Sequence, residues 1–249
     1  MKNKFTGLIF LMWVFALPGY AQWSVGIEGG YNQNALYTNV GALSFTKYVP
    51  QNGFSVGIPV QYKVKDWFSI QADPQFIQKN YELKRTQFFE GIYQKNINSY
   101  VQLPLMGRFT FGGEKLKGFL NLGGYASYWS MGRIKGVQAN IFSDIESSSD
   151  TQEYDRYLEL KNGYSYNEPY TFDERKDNRL ELGWLTGVGV SYQYKKYQFF
   201  VEGRYYQSIT DQQKNYMINQ IPRYNQTYTA QIGCLYQFAK KPKKSTSSN

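Results

Sequence analysis

The chain of 249 residues contains no histidine and a single cysteine, Cys234. Those two facts remove much ordinary chemistry. Histidine is the side chain that changes charge near neutral pH, and it is the commonest metal ligand. One thiol cannot form an internal disulfide. The remaining candidates are charged side chains set among apolar ones: Glu28, Asp73, Arg108, Glu181, Glu202 and Arg204. Carboxylates and guanidinium groups can build an acid–base site, a conduit or an ion-pair network. No Ser/Lys or carboxylate-pair motif surrounds them, and no Asp-x-Asp-x-Asp-Gly calcium loop occurs. The expectation is therefore no catalytic, cofactor or metal site, and a protein that is not an enzyme.

The elements that must position these charges repeat with period two. Apolar residues alternate with small or polar ones, the signature of half-buried strands. Eight segments read this way, with one face each: Val25–Tyr31, Phe54–Tyr62, Phe68–Phe76, Val101–Phe111, Leu120–Tyr128, Leu182–Tyr192, Phe199–Tyr205 and Tyr228–Phe238. These faces comprise 41 positions, none of them charged, where about 8 charges would be expected from a chain that is 19% charged. All six candidate charges fall on the opposite face. A soluble barrel would turn the apolar face inward, and a membrane barrel would turn it outward. With 18% aromatic residues the chain is no disordered polymer. It also lacks the repeated runs of about 20 apolar residues that helical membrane proteins require.

Connection lengths decide between the two barrels. Val64 to Asp66, Gly112 to Lys117 and Lys195 to Tyr197 are short polar turns. Asn32 to Gly53, Asn80 to Asn98, Gly132 to Asn178 and Ser208 to Asn225 are long. Short and long alternate throughout, as in outer-membrane barrels with short periplasmic turns and long outer loops. Aromatic residues near the strand ends, among them Trp23, Trp67, Tyr192 and Tyr228, fit interfacial girdles. The expected fold is an all-β, eight-stranded, antiparallel up-and-down transmembrane barrel over residues 22–238, in contact with outer-membrane lipid. Residues 1–21 read as a removed signal peptide: Lys2 and Lys4, an apolar run from Phe5 to Leu17, then the small residues Gly19 and Ala21. Residues 239–249, beginning near Lys240-Lys241-Pro242-Lys243-Lys244, read as a disordered basic periplasmic tail.

The barrel reading gives each motif a place. An eight-stranded interior is filled by its own side chains, so the six charges are expected to form a buried ion-pair network, with Glu28 and Glu202 as partners of Arg204. Inward glycines (Gly26, Gly57, Gly123, Gly183, Gly187, Gly189, Gly233) are expected to make room for long side chains. Pro59, Pro74 and Pro104 are expected at bulges or strand ends, because proline removes a ladder donor. The third long loop, Gly132 to Asn178, holds ten acidic and six basic residues with many tyrosines. Two readings stand: a solvated loop, or a docking surface for a partner. Despite the formal net charge of +9, nucleic acid is excluded as a partner, since no basic patch interleaves with aromatics.

Three segments carry a family resemblance. Tyr100-Val101-Gln102-Leu103-Pro104-Leu105, then Gly183 with Gly187-Val188-Gly189-Val190, then Gly203-Arg204-Tyr205-Tyr206 followed by Ile209-Thr210-Asp211, resemble the PorT-like, eight-stranded outer-membrane barrels of Bacteroidota. The last strand, with Gln231, Gly233, Tyr236 and Phe238, is similar to the signal by which such barrels are recognised by the barrel assembly machinery. An extended aromatic edge suits capture by strand addition. The resemblance implies a non-enzymatic structural protein, or a component of an envelope or secretion assembly, since some members serve type IX secretion. A small barrel enzyme and a narrow pore are the other classes. Familiar barrel enzymes use a catalytic histidine, and the strand count opposes an open channel.

Overall fold

The computed structural model describes residues 22–38, 45–138, 163–218 and 220–238. The expected signal peptide, the basic tail and the middle of the third loop lie outside the described residues. No α-helix occurs among the described residues, and a 3-10 turn spans Gln87–Phe89. Twelve strands form one antiparallel sheet: β1 (Trp23–Tyr37), β2 (Thr46–Gly57), β3 (Val60–Lys65), β4 (Phe68–Ala72), β5 (Gln75–Gln78), β6 (Tyr81–Arg85), β7 (Tyr93–Gly112), β8 (Leu116–Gln138), β9 (Tyr164–Pro169), β10 (Leu180–Tyr194), β11 (Tyr197–Ser208) and β12 (Tyr224–Gln237). β1 pairs with β12 on one side and with β2 and β3 on the other, so the sheet closes.

Strands β2 and β3 follow one another along β1, while β4, β5 and β6 follow one another along β7. Traced through these interruptions, the chain passes along the barrel eight times. Two interruptions are made by proline. Gly26 N–H donates to Pro59 O at 3.0 Å, and Asp73 N–H donates to Pro104 O at 3.1 Å. Neither bond can be returned, because proline has no N–H. Pro59 and Pro74 therefore sit at strand breaks, as expected. Pro104 does not: it lies inside β7, and the missing ladder bond breaks the neighbouring strand at Asp73 instead.

None of the 41 apolar-face positions is buried, and Ile27, Val56, Val101, Val188, Val201 and Ile232 are each more than half exposed. The apolar face is the outer wall. Aromatic residues bound it in two belts. At the turn end Trp23 meets Tyr62, Trp67 meets Phe109, and Tyr236 meets Tyr197 and Phe238. Toward the loop end Phe54 meets Phe76, and Tyr205 meets Trp184 and Tyr228. The pairs Trp23/Tyr31, Tyr62/Phe54, Phe68/Phe76, Tyr192/Trp184, Tyr197/Tyr205 and Tyr236/Tyr228 all share one spacing along their strands. At about 3.3 Å per residue and a tilt of about 40°, that spacing separates the belts by roughly 20 Å.

The turns are tight. Lys195 takes φ 54° in the two-residue connection between β10 and β11, the left-handed geometry such hairpins demand. Lys63 Nζ lies 2.6 Å from Asp66 Oδ1 in the β3–β4 turn, and its hydrogen bond holds the Asp66 carboxyl below its usual range. At the opposite end the structure corrects the expected loop boundaries. β1 continues to Tyr37, β2 starts at Thr46, β7 starts at Tyr93 and β8 runs to Gln138. These extensions carry polar residues on both faces with apolar ones scattered among them, so no regular alternation marks them, yet the hydrogen-bond ladder continues. β9 folds back from the third loop onto residues Arg133–Gln138 of β8. A bulge between Ser99 and Tyr100 marks the transition; there Ser130 Oγ donates to Ser99 O at 2.9 Å.

Candidate functional site

The barrel interior is built in layers. Nearest the turn end, Phe119, Phe200 and Leu235 form a small apolar cluster. Above it lies a charged layer whose members come from β1, β7 and β11 and from the break between β4 and β5. Arg204 on β11 is its hub. Its Nε and Nη2 donate to Glu202 Oε1 and Oε2, both at 2.8 Å, a bidentate pair. Its Nη1 donates to Asp73 Oδ2 at 2.9 Å and Tyr206 Oη at 3.0 Å, and lies 3.9 Å from Glu28 Oε1. Amides complete the shell. Gln231 Nε2 donates to both Glu28 and Glu202 at 3.2 Å, and Gln71 Nε2 donates to Asp73 at 2.9 and 3.1 Å.

Arg108 on β7 is fully buried and held differently. Its Nε donates to Asn121 Oδ1 at 3.2 Å, and Nη2 lies 3.7 Å from Glu202 Oε2. Its guanidinium carbon sits 3.8 Å from the Phe119 ring centroid and 5.4 Å from that of Phe200. The ring faces of the apolar cluster thus carry a cation. Such contacts contribute about 2 kcal/mol when desolvated, which helps offset burial.

Glycine makes this packing fit. A Cβ on Gly187 would lie 2.2 Å from Glu202 Oε1, and one on Gly189 would lie 2.4 Å from the Phe119 ring. Gly233 faces the Phe200 ring in the same way, while a Cβ on Gly183 would meet both Gln207 O at 2.2 Å and the Tyr125 ring at 2.5 Å. Gly26 and Gly123 differ from expectation. They lie closest to backbone oxygen of the paired strand, Cys234 O and Leu105 O, rather than to a long side chain.

Of the six predicted charges, five meet in this layer and Glu181 does not. Glu181 belongs to a second cluster nearer the loop end, with Lys79, a fully buried residue the sequence reading omitted. Lys79 Nζ lies 2.5 Å from Glu181 Oε1, and its ammonium faces the rings of Tyr125 (4.6 Å) and Tyr100 (5.1 Å). Tyr125 Oη donates to Glu181 Oε1 at 2.8 Å, and Asn225 Nδ2 to Glu181 Oε2 at 2.6 Å. Between the two charged layers lie Ile77, Met106, Leu185 and Tyr206. Lys79 has the same parity as Asp73, so its inward direction was readable. It was missed because the third segment was ended at Phe76, before the break at Lys79–Asn80.

The residues of the predicted assembly signal all have structural partners as well. Gln231 serves the Arg204 layer, Gly233 accommodates Phe200, and Tyr236 joins Tyr197 and Phe238 in the turn-end belt. Among the described residues no group of three or more Cys, Asp and Glu side chains is placed to hold a metal ion.

The chain is similar to the solved structures of OprG from Pseudomonas aeruginosa (11% identity, TM-score 0.43, covering 88% of this chain and 97% of that one) and Neisserial surface protein A (12% identity, TM-score 0.39, 86% and 97%). It is also similar to Ail, the attachment invasion locus protein of Yersinia pestis (12% identity, TM-score 0.38, 86% and 99%). No curated protein matches the chain. The family model described as "Outer membrane protein beta-barrel domain" matches residues 18–213. With its apolar wall outside, its charges inside and most of its length matched, the chain belongs to that outer membrane β-barrel family, and its place is the bacterial outer membrane.

Proposed function

We propose that this protein is a closed, non-enzymatic barrel that serves as a structural member or component of an envelope or secretion assembly, in the manner of the PorT-like family. One observation carries this reading: the interior is spent on holding the barrel together. Arg108, Arg204, Glu202 and Asp73 are inaccessible to solvent and bonded to one another or to buried amides. A transport path needs groups that bind weakly and release, lining a lumen. Here the Arg204 hub is fully bonded, Arg108 is held through Nε and by Glu202 at 3.7 Å with its terminal nitrogens making no hydrogen bond, and apolar layers lie on both sides of them. An enzyme would need a base within reach of a substrate cleft, and no histidine is present. What remains for interaction is the outer wall and the extended loop end.

The experiment is crosslinking in intact cells, with mass spectrometry of what co-purifies, alongside conductance of the pure protein in planar bilayers. The expected result is a stable envelope partner and no single-channel steps. Discrete conductance steps abolished by a blocking substitution at the loop end would overturn the reading.

A further inference from the structure

The loop end carries a cavity that the assembly role leaves without a ligand. Above the Lys79–Glu181 cluster opens a cavity of about 210 Å³, closed below by the filled barrel. Its walls come from β2, β6, β7, β8 and the third and fourth long loops, segments remote in sequence. We propose that this cup binds a single saccharide unit presented from outside the cell.

The chemistry of the walls leads to that class. A pyranose ring offers apolar C–H faces rimmed by hydroxyl groups that both donate and accept. Its site needs aromatic surface beside planar polar groups of both kinds. The cup has Tyr48, Tyr81 and Tyr170 for the first, and Asp177, Gln213 and Arg223 for the second. One carboxylate and one guanidinium balance, so a neutral polyhydroxylated ligand suits the cup better than an ion. Its volume lies below the roughly 300–1,000 Å³ of drug-sized pockets, and so limits the occupant to about one ring.

The site is pre-organised, which filling alone would not require. Trp129 is stacked between Tyr100 (6.0 Å, 14°) and Tyr170 (5.2 Å, 16°). Asp177 is fixed by Tyr170 Oη at 2.9 Å and by the Asp173 N–H at 2.8 Å, and it bridges to Gln213 through the backbone. Burial and that hydrogen bond push the Tyr170 phenol well above its usual range, so it remains a donor.

Hydrogen-bonding capacity is also left over. The Arg223 guanidinium makes no ion pair among the described residues and sits 5.9 Å from the Tyr48 ring centroid. The Gln213 side chain has only long bonds, 3.4 Å each, to Ile221 O and Tyr216 Oη. A planar guanidinium and a primary amide facing a tyrosine-walled cup are groups that pair with adjacent ring hydroxyls.

The test uses the full chain in lipid nanodiscs with D-glucose, D-galactose, D-mannose, L-fucose and N-acetylglucosamine as probes, read by saturation-transfer NMR. Glycine and glutamate serve as comparison probes. At least one sugar is expected to bind. Arg223→Ala and Gln213→Ala are each expected to weaken it about tenfold, the loss of one charge-assisted or neutral hydrogen bond pair. Lys195→Ala, at the opposite end, is expected to leave binding unchanged. Both cup variants change partly exposed loop residues, and unboiled gel mobility verifies their barrels. No sugar bound by the wild type, equal binding by both cup variants, or preference for glycine or glutamate would each overturn the proposal. None of these outcomes bears on conductance or crosslinking, so this inference and the assembly role fail separately.

Discussion

At the scale of single residues, Arg204 determines what the interior tolerates. Arg204→Ala removes the only cation bonded to Asp73 among the described residues and leaves that carboxylate buried, a change expected to cost about 3–5 kcal/mol. Glu202 keeps Arg108 at 3.7 Å and Asn121 at 2.8 Å. Adding Asp73→Asn should therefore restore more stability than adding Glu202→Gln, as read from urea midpoints in lipid vesicles. Equal rescue by the two would mean that Asp73 does not depend on Arg204. Gly187 gives a second comparison. Gly187→Val must displace the Glu202 carboxylate, and overpacking of this kind costs about 1–3 kcal/mol. Gly203→Ala faces outward, with its nearest neighbour 4.0 Å away, and should leave the midpoint unchanged. These side chains were visible in the sequence as charges on a face opposite an uncharged one. Their grouping was not, because parity assigns a face but not a height. Glu181 and Glu202 share a direction yet stand in different layers.

The strands illustrate where period-two reading succeeds and where it ends. Lipid contact forces every outward side chain between the belts to be apolar or small, so all 41 positions were legible. Beyond the belts water touches both faces, the constraint lapses, and strand looks like loop; β1 past Asn32 and β8 past Gly132 were lost for that reason. The cup escaped notice for a related one. Tyr48, Tyr81, Asp177 and Arg223 come from segments with no common spacing, and only the closed ladder brings them together. A pair of substitutions checks the boundary. Val201→Arg places a charge against lipid and should cost about 2–4 kcal/mol near the midplane. Ser165→Arg, on exposed β9 above the belts, should change stability by less than about 0.5 kcal/mol. A tolerated Val201→Arg would mean that β11 is slipped by one residue, which inverts every facing on it.

For the molecule as a whole, the short turns and both ends of the described barrel lie at one end, where Phe238 N–H donates to Trp23 O at 3.1 Å. That end is expected in the periplasm. In a Cys234→Ala background, Ser165→Cys should react with a membrane-impermeant maleimide on whole cells, and Lys195→Cys only after lysis. The reverse pattern would turn the barrel over. The belts have a further consequence. Six of the eight passes repeat one aromatic spacing, so the protein behaves as a ruler with a fixed length of about 20 Å between its two marks. A bilayer cannot be matched by stretching hydrogen-bonded strands; lipid must thin around the barrel, at a fraction of a kcal/mol per Å of difference. Insertion of the unfolded chain should therefore run fastest in vesicles of short-chain lipid and slow with each pair of methylenes added. The envelope that houses this protein would then be selected for thickness as much as for composition, and a cell that lengthened its outer-leaflet acyl chains would hinder assembly of this barrel before disturbing its folded form.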